Sequence, residues 1–100
     1  MQALNEVIQT NSPLYQNELG SISATQLNLL KAVSQGETRL TSTAVMRDYQ
    51  LGTPNNVTKN RKSLIERDMI LEHEGQLEFA DPVLELWFNK IFFSKDYHLS

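Results

Sequence analysis

The sequence predicts a mainly α-helical domain with one small β-hairpin, an α+β fold in which a helix-turn-helix is followed by a two-stranded wing. Apolar residues recur at the spacing of amphipathic helices along most of the 100 residues. A short glycine-containing turn at residues 51–53 separates two of these helices. After Asp68 the apolar period becomes two, which is typical of strands, and Gly75 divides that stretch. A chain of this length fits a single hydrophobic core.

Two helices are predicted ahead of the helix-turn-helix. Apolar spacing over residues 3–8 indicates the first. Ser12 as N-cap and Pro13 at the first helical position indicate the second, which should end at Gly20. The expected organisation is lead-in helices at 1–20, a winged helix-turn-helix domain at 21–93 and a C-terminal tail at 94–100.

Three helices form the predicted helix-turn-helix unit. The first begins at Ser23 and should stop at Gly36. A shorter helix follows, with Thr41 or Ser42 as its cap. The third, over residues 54–67, is the helix that such a motif presents outward.

The third helix has one apolar and one polar side. Val57, Leu64 and Ile65 are expected to face the core. The polar side is partly basic and is the candidate nucleic-acid contact, formed by Asn55, Asn56, Thr58, Lys59, Lys62 and Ser63.

The hairpin and the last helix complete the domain. Period-two spacing predicts that Glu72, Glu74 and Glu78 line one solvent-facing side of the hairpin. A final helix should start at Asp81 and Pro82 and is apolar around most of its circumference, so it must be buried on more than one side. Its aromatic residues Trp87, Phe88, Phe92 and Phe93 are expected in the core, with a docking surface as the alternative. Leu86, Phe92 and Phe93 are its candidate docking surface.

Composition and motifs argue against catalysis by this chain. There is no cysteine, and neither His73 nor His98 belongs to a metal-ligand pair. No G-x-x-x-x-G-K-[ST] loop occurs, so no cofactor and no small-molecule substrate are expected. Neither a membrane-spanning run nor a signal peptide is present, and a cytoplasmic location is expected.

Three segments of the sequence resemble the C-terminal winged-helix domain of archaeal-type AAA+ ATPases, a P-loop family. They are residues 23–32, residues 51–57 leading to 62–70, and residues 79–87. The resemblance implies that ATP and Mg²⁺ would bind only in an N-terminal ATPase domain that is not in this chain. Asn60 departs from the pattern, because an apolar residue is expected there beside Val57 and Leu64.

Two functions remain open from the sequence. The favoured one is a non-catalytic protein-docking or regulatory module, packed on its own ATPase domain or on another protein through the last helix. The alternative is binding of double-stranded DNA through the 54–67 helix. The net charge of −3 gives no general attraction to DNA, but Lys59, Arg61, Lys62 and Arg67 cluster in that helix beside a single acidic residue, Glu66. Six carboxylates and no lysine or arginine follow at 68–85, which favours docking.

Overall fold

The computed structural model describes residues 12–93 and confirms the predicted fold class. The first predicted helix, the 94–100 tail and His98 lie outside these residues. The elements in chain order are α1 (residues 12–20), α2 (Ala24–Ser34), α3 (Thr43–Tyr49), α4 (Pro54–Glu66), β1 (Ile70–His73), β2 (Gln76–Phe79) and α5 (Pro82–Phe93). None of the described helices is long and apolar enough to cross a bilayer.

Side-chain caps fix where the three central helices begin. Ser23 and Gln26 form a capping box, with the Ser23 hydroxyl accepting from the Gln26 backbone N–H at 3.2 Å and the Gln26 side chain accepting in return at 3.0 Å. Ser42 caps α3, which resolves the two alternatives from the sequence. Thr53 caps α4, and Pro54 occupies its first turn as predicted. Local sequence therefore determines the start of each helix.

One hydrophobic core joins the helices to the hairpin. Leu30 of α2 and Leu64 of α4 are completely buried, and Ile70 and Phe79 bring the hairpin into the same cluster. Burying a leucine side chain stabilises the fold by about 1.5–3 kcal/mol. Because both α4 and the hairpin are anchored in this core, their positions relative to each other are set by packing.

Helix α1 covers one side of α5, as the apolar character of α5 requires. The Trp87 indole N–H donates to the Ser12 hydroxyl at 2.9 Å, and the Tyr15 hydroxyl donates to Asp81 at 3.1 Å. The rings of Tyr15 and Trp87 lie 5.5 Å apart, and Tyr15 is 3% exposed. The described part of the lead-in region thus packs on the core. The domain boundary at residue 20 stays a prediction.

The hairpin register corrects one expectation from the sequence. Glu72 pairs with Leu77 and Glu78 pairs with Leu71, so the two glutamates lie on opposite faces of the hairpin. The prediction that the wing carboxylates share one side is therefore wrong. Antiparallel pairing places even-numbered residues of β1 opposite odd-numbered residues of β2, which counting along each strand separately does not show.

A two-residue turn connects the strands. Glu74 and Gly75 both have positive φ, 52° and 81°, as a type I′ turn requires. Glycine adopts this conformation without strain, whereas glutamate does so at a cost. The short turn holds the two strands in their register.

Candidate nucleic-acid interface

The outer face of α4 carries the candidate nucleic-acid contact predicted from the sequence. Asn55, Lys59 and Lys62 are all exposed and recur at i, i+4 and i+7, so they form one stripe along the helix. Lysine is a compact cation that binds phosphate, and asparagine can pair with the edge of adenine. The structure exposes these three side chains, and their contact with nucleic acid stays a prediction.

Asn56 and Thr58 flank the stripe and are also exposed. The Asn56 backbone N–H is bound by the Thr53 cap, and its side chain lies against Gly52. The Thr58 hydroxyl donates to the Pro54 carbonyl at 3.1 Å. Thr58 uses its donor within the helix, and its oxygen remains able to accept.

Ser63 and Asn60 lie on the flank of α4 that turns toward the domain. Both are half-buried, and the Ser63 hydroxyl accepts a hydrogen bond from the Gln26 side chain of α2 at 3.1 Å. Ser63 therefore connects two helices of the domain. Its predicted contact with nucleic acid stays untested.

Arg61 forms an ion pair with Glu72 across the gap between α4 and the hairpin. The side chains are 38% and 42% exposed. The Arg61 Nε is buried and has no hydrogen-bond partner among the described residues. The spacing could have indicated this position, because Arg61 lies one turn after Val57 and one turn before Leu64 and so faces partly inward.

The ion pair changes the charge that α4 and the wing present. Glu72 is the wing carboxylate that contacts α4, and Arg61 neutralises it. Lys59 and Lys62 remain as the exposed cations of the helix. Glu66 at the end of α4 and Glu74 at the hairpin turn are exposed carboxylates, and Arg67 after α4 is a further exposed cation. Within α4, the exposed positive charge is concentrated on the stripe.

A cleft of about 260 Å³ lies between the 37–41 segment, α4 and the hairpin. The charged residues that line it are Glu37, Arg61 and Glu72. Its hydroxyl-bearing residues are Thr38, Thr41 and Thr58, and its apolar residues are Leu40, Val57 and Leu77. The cleft is thus a polar space with the Arg61–Glu72 pair in its wall.

The predicted docking surface is largely packed within the domain. Leu86, Phe92 and Phe93 are half-buried and contact the core. The Phe92 ring lies 4.6 Å from the Phe88 ring, and the Lys31 ammonium lies 5.1 Å above Phe92. Docking through these residues stays a prediction. Fully exposed Phe92 and Phe93 rings would have favoured it, but both are half-buried.

The acidic and histidine side chains of the described part of the chain do not converge on one site. Within residues 12–93, no group of three or more His, Cys, Asp and Glu is placed to hold a metal ion. His73 is exposed on the hairpin face that carries Glu78. The expectation that the chain uses no cofactor stays a prediction.

Comparison with known families matches the described fold. A family model described as a probable winged helix domain matches residues 13–90. Comparison of the chain with curated proteins and with solved structures finds no match. Domains of the winged-helix type are typically non-catalytic and bind DNA or other proteins. Because the match covers more than half of the chain and spans α2 to β2, this chain belongs to the probable winged helix domain family.

Proposed function

We propose that the chain is a non-catalytic DNA-binding module that places α4 in the major groove of double-stranded DNA. The observation that carries the proposal is the exposed stripe of Asn55, Lys59 and Lys62 on the outward helix of a helix-turn-helix. Lysines at this position reach phosphates or guanine, and asparagine reaches adenine. This exposed stripe is the reason that we propose DNA binding, the alternative in the sequence analysis, ahead of protein docking.

The hairpin supports this assignment more than its sequence indicated. Glu72 is paired with Arg61, and Glu78 lies on the opposite face of the hairpin. Two of the three wing carboxylates are thus kept from repelling phosphates beside α4. Glu74 at the turn is the wing carboxylate that a bound duplex would meet.

The salt dependence of DNA affinity tests the proposal. Two lysine–phosphate contacts give a slope of about −1.8 in a plot of log affinity against log salt, or about a 12-fold loss between roughly 50 and 200 mM salt. We expect the Lys59→Gln/Lys62→Gln variant to lose most of this slope. The measurement is fluorescence anisotropy with a random-sequence duplex.

The matched control changes the same net charge elsewhere. Lys31→Gln/Lys90→Gln removes two lysines from α2 and α5, away from the α4 stripe. It should lower the affinity slightly and leave the slope close to that of the parent. Equal effects of the two double variants would show that binding follows net charge and would refute the assignment to α4.

A second candidate is a docking or regulatory module of a larger P-loop ATPase. Ile91 on α5 is 54% exposed and Leu71 on the hairpin is 38% exposed, and such apolar side chains suit a protein partner. ATP and Mg²⁺ would bind in a separate N-terminal domain. This candidate predicts that a longer protein containing this chain hydrolyses ATP and that Ile91→Glu changes its rate. An unchanged rate would count against docking through α5. The cytoplasmic location stays a prediction.

A further inference from the structure

We propose that Glu72 masks Arg61. Their ion pair keeps the Arg61 guanidinium from making a third cationic contact to the DNA backbone, beside those of Lys59 and Lys62. The inference rests on the proposed function, because it concerns the same α4 face. It assigns to the hairpin a role in limiting affinity, and it predicts that neutralising Glu72 strengthens DNA binding.

The position of Arg61 supports this role. It is adjacent in sequence to Lys62 and one turn after Thr58, and it lines one surface pocket together with these two residues. Its side chain is 38% exposed, so a DNA phosphate placed between α4 and the hairpin could reach it. Arg61 is therefore close to the proposed DNA surface without being part of its exposed stripe.

The chemistry of the pair supports masking. A guanidinium binds carboxylate and phosphate in the same planar, two-pronged way, so Glu72 occupies donors that a phosphate would use. The Arg61 Nε remains without a partner among the described residues. The carboxylate thus satisfies only part of the guanidinium.

The cleft beside Arg61 shows what a phosphate would meet there. The hydroxyls of Thr38 and Thr41 line it and are available as hydrogen-bond donors. Glu37 also lines the cleft, and with Glu72 it opposes entry of a free anion. A phosphate at this position would have to belong to a chain already held by the lysine stripe, which raises its effective concentration at Arg61.

The test compares two single charge removals on the hairpin. Glu72→Gln should free Arg61 and steepen the salt slope of DNA binding by about 0.9, the value of one additional phosphate contact. Glu78→Gln is the control, since it removes the same charge from the opposite face without freeing an arginine. It should raise the affinity slightly and leave the slope unchanged. Equal slopes for the two variants would overturn the masking.

A double-variant cycle separates masking from general charge effects. Arg61→Gln alone removes no phosphate contact, so it should leave the parent slope close to unchanged, while the exposed charge of Glu72 should lower the affinity. In the Glu72→Gln background, Arg61→Gln should return the slope to the parent value. If the salt slope of the Glu72→Gln variant stayed steeper than that of the parent after Arg61→Gln was added, the proposal would be contradicted. Thermal unfolding of each variant verifies that the hairpin remains folded.

The outcomes also separate this inference from the proposed function. If Lys59→Gln/Lys62→Gln weakens binding while Glu72→Gln and Glu78→Gln behave alike, only the masking fails. If the lysine variant binds as tightly as the parent, the proposed DNA surface itself is wrong.

Discussion

Replacing Tyr15 by phenylalanine should reverse the order of stability between neutral and alkaline pH. The Tyr15 side chain lies between α1 and α5 and donates to Asp81 at 3.1 Å. Burial, followed by the hydrogen bond and the charge of Asp81, raises the pKa of Tyr15 from 10.0 to about 12. Folding therefore favours the protonated phenol. The stability that it provides is complete below pH 10 and is lost as the pH rises toward 12.

The magnitude follows from the two pKa values. The difference between 10.0 and about 12 corresponds to at most about 2.7 kcal/mol of unfolding free energy, of which about 1.4 kcal/mol is lost by about pH 11. Tyr15→Phe keeps the ring but removes the hydroxyl, which costs about 1 kcal/mol at neutral pH. The two stability curves should therefore cross at about pH 10.7.

Urea unfolding of both proteins at a series of pH values measures the crossing. Tyr49→Phe is the control. Burial also raises the pKa of Tyr49, but replacing Tyr49 leaves the hydrogen bond from Tyr15 to Asp81 intact. A Tyr15→Phe difference that stays constant from neutral pH to about pH 11 would refute the burial of Tyr15 against α5.

Three further substitutions test the turns and the core. Glu74→Asn should stabilise the domain by about 0.5 kcal/mol, because asparagine tolerates the positive φ of a type I′ turn better; an unchanged urea midpoint would argue against that turn. Gly52→Ala should destabilise the domain by about 1–3 kcal/mol, because φ of Gly52 is +86° and the new Cβ would lie 2.6 Å from Asn56 Nδ2. Thermal unfolding measures the loss, and an unchanged melting temperature would contradict this geometry. Leu64→Ala should lower the free energy of unfolding by about 2–5 kcal/mol. Leu14→Ala is its control: this side chain is 56% exposed, and its loss should cost less than about 0.5 kcal/mol. Similar losses for the two variants in urea unfolding would place Leu64 outside the core.

Most helix positions could be predicted because their signals are local. Ser23, Thr53 and Pro54 occupy the starts of helices as expected, since capping depends on residues within one turn of each other. The inward positions Val57 and Leu64 were predicted for the same reason, because helical spacing determines which side chains share a face.

The features that sequence reasoning missed depend on contacts between elements. The Arg61–Glu72 pair joins a helix to a strand and depends on the hairpin register, which links β1 to β2. Ser63 was assigned outward by spacing, yet its partner Gln26 lies 37 residues away on α2. Charge and polarity along the chain could not show that these side chains bind one another.

The measurement that tests the central claim most directly is nuclear magnetic resonance of the isotope-labelled protein titrated with a short DNA duplex. The account predicts that the amide signals of Asn55, Lys59 and Lys62 shift first and most strongly, in a salt-dependent manner. Shifts confined to other surfaces, with the α4 signals unchanged, would contradict it, and the absence of any shift would leave protein docking as the remaining candidate.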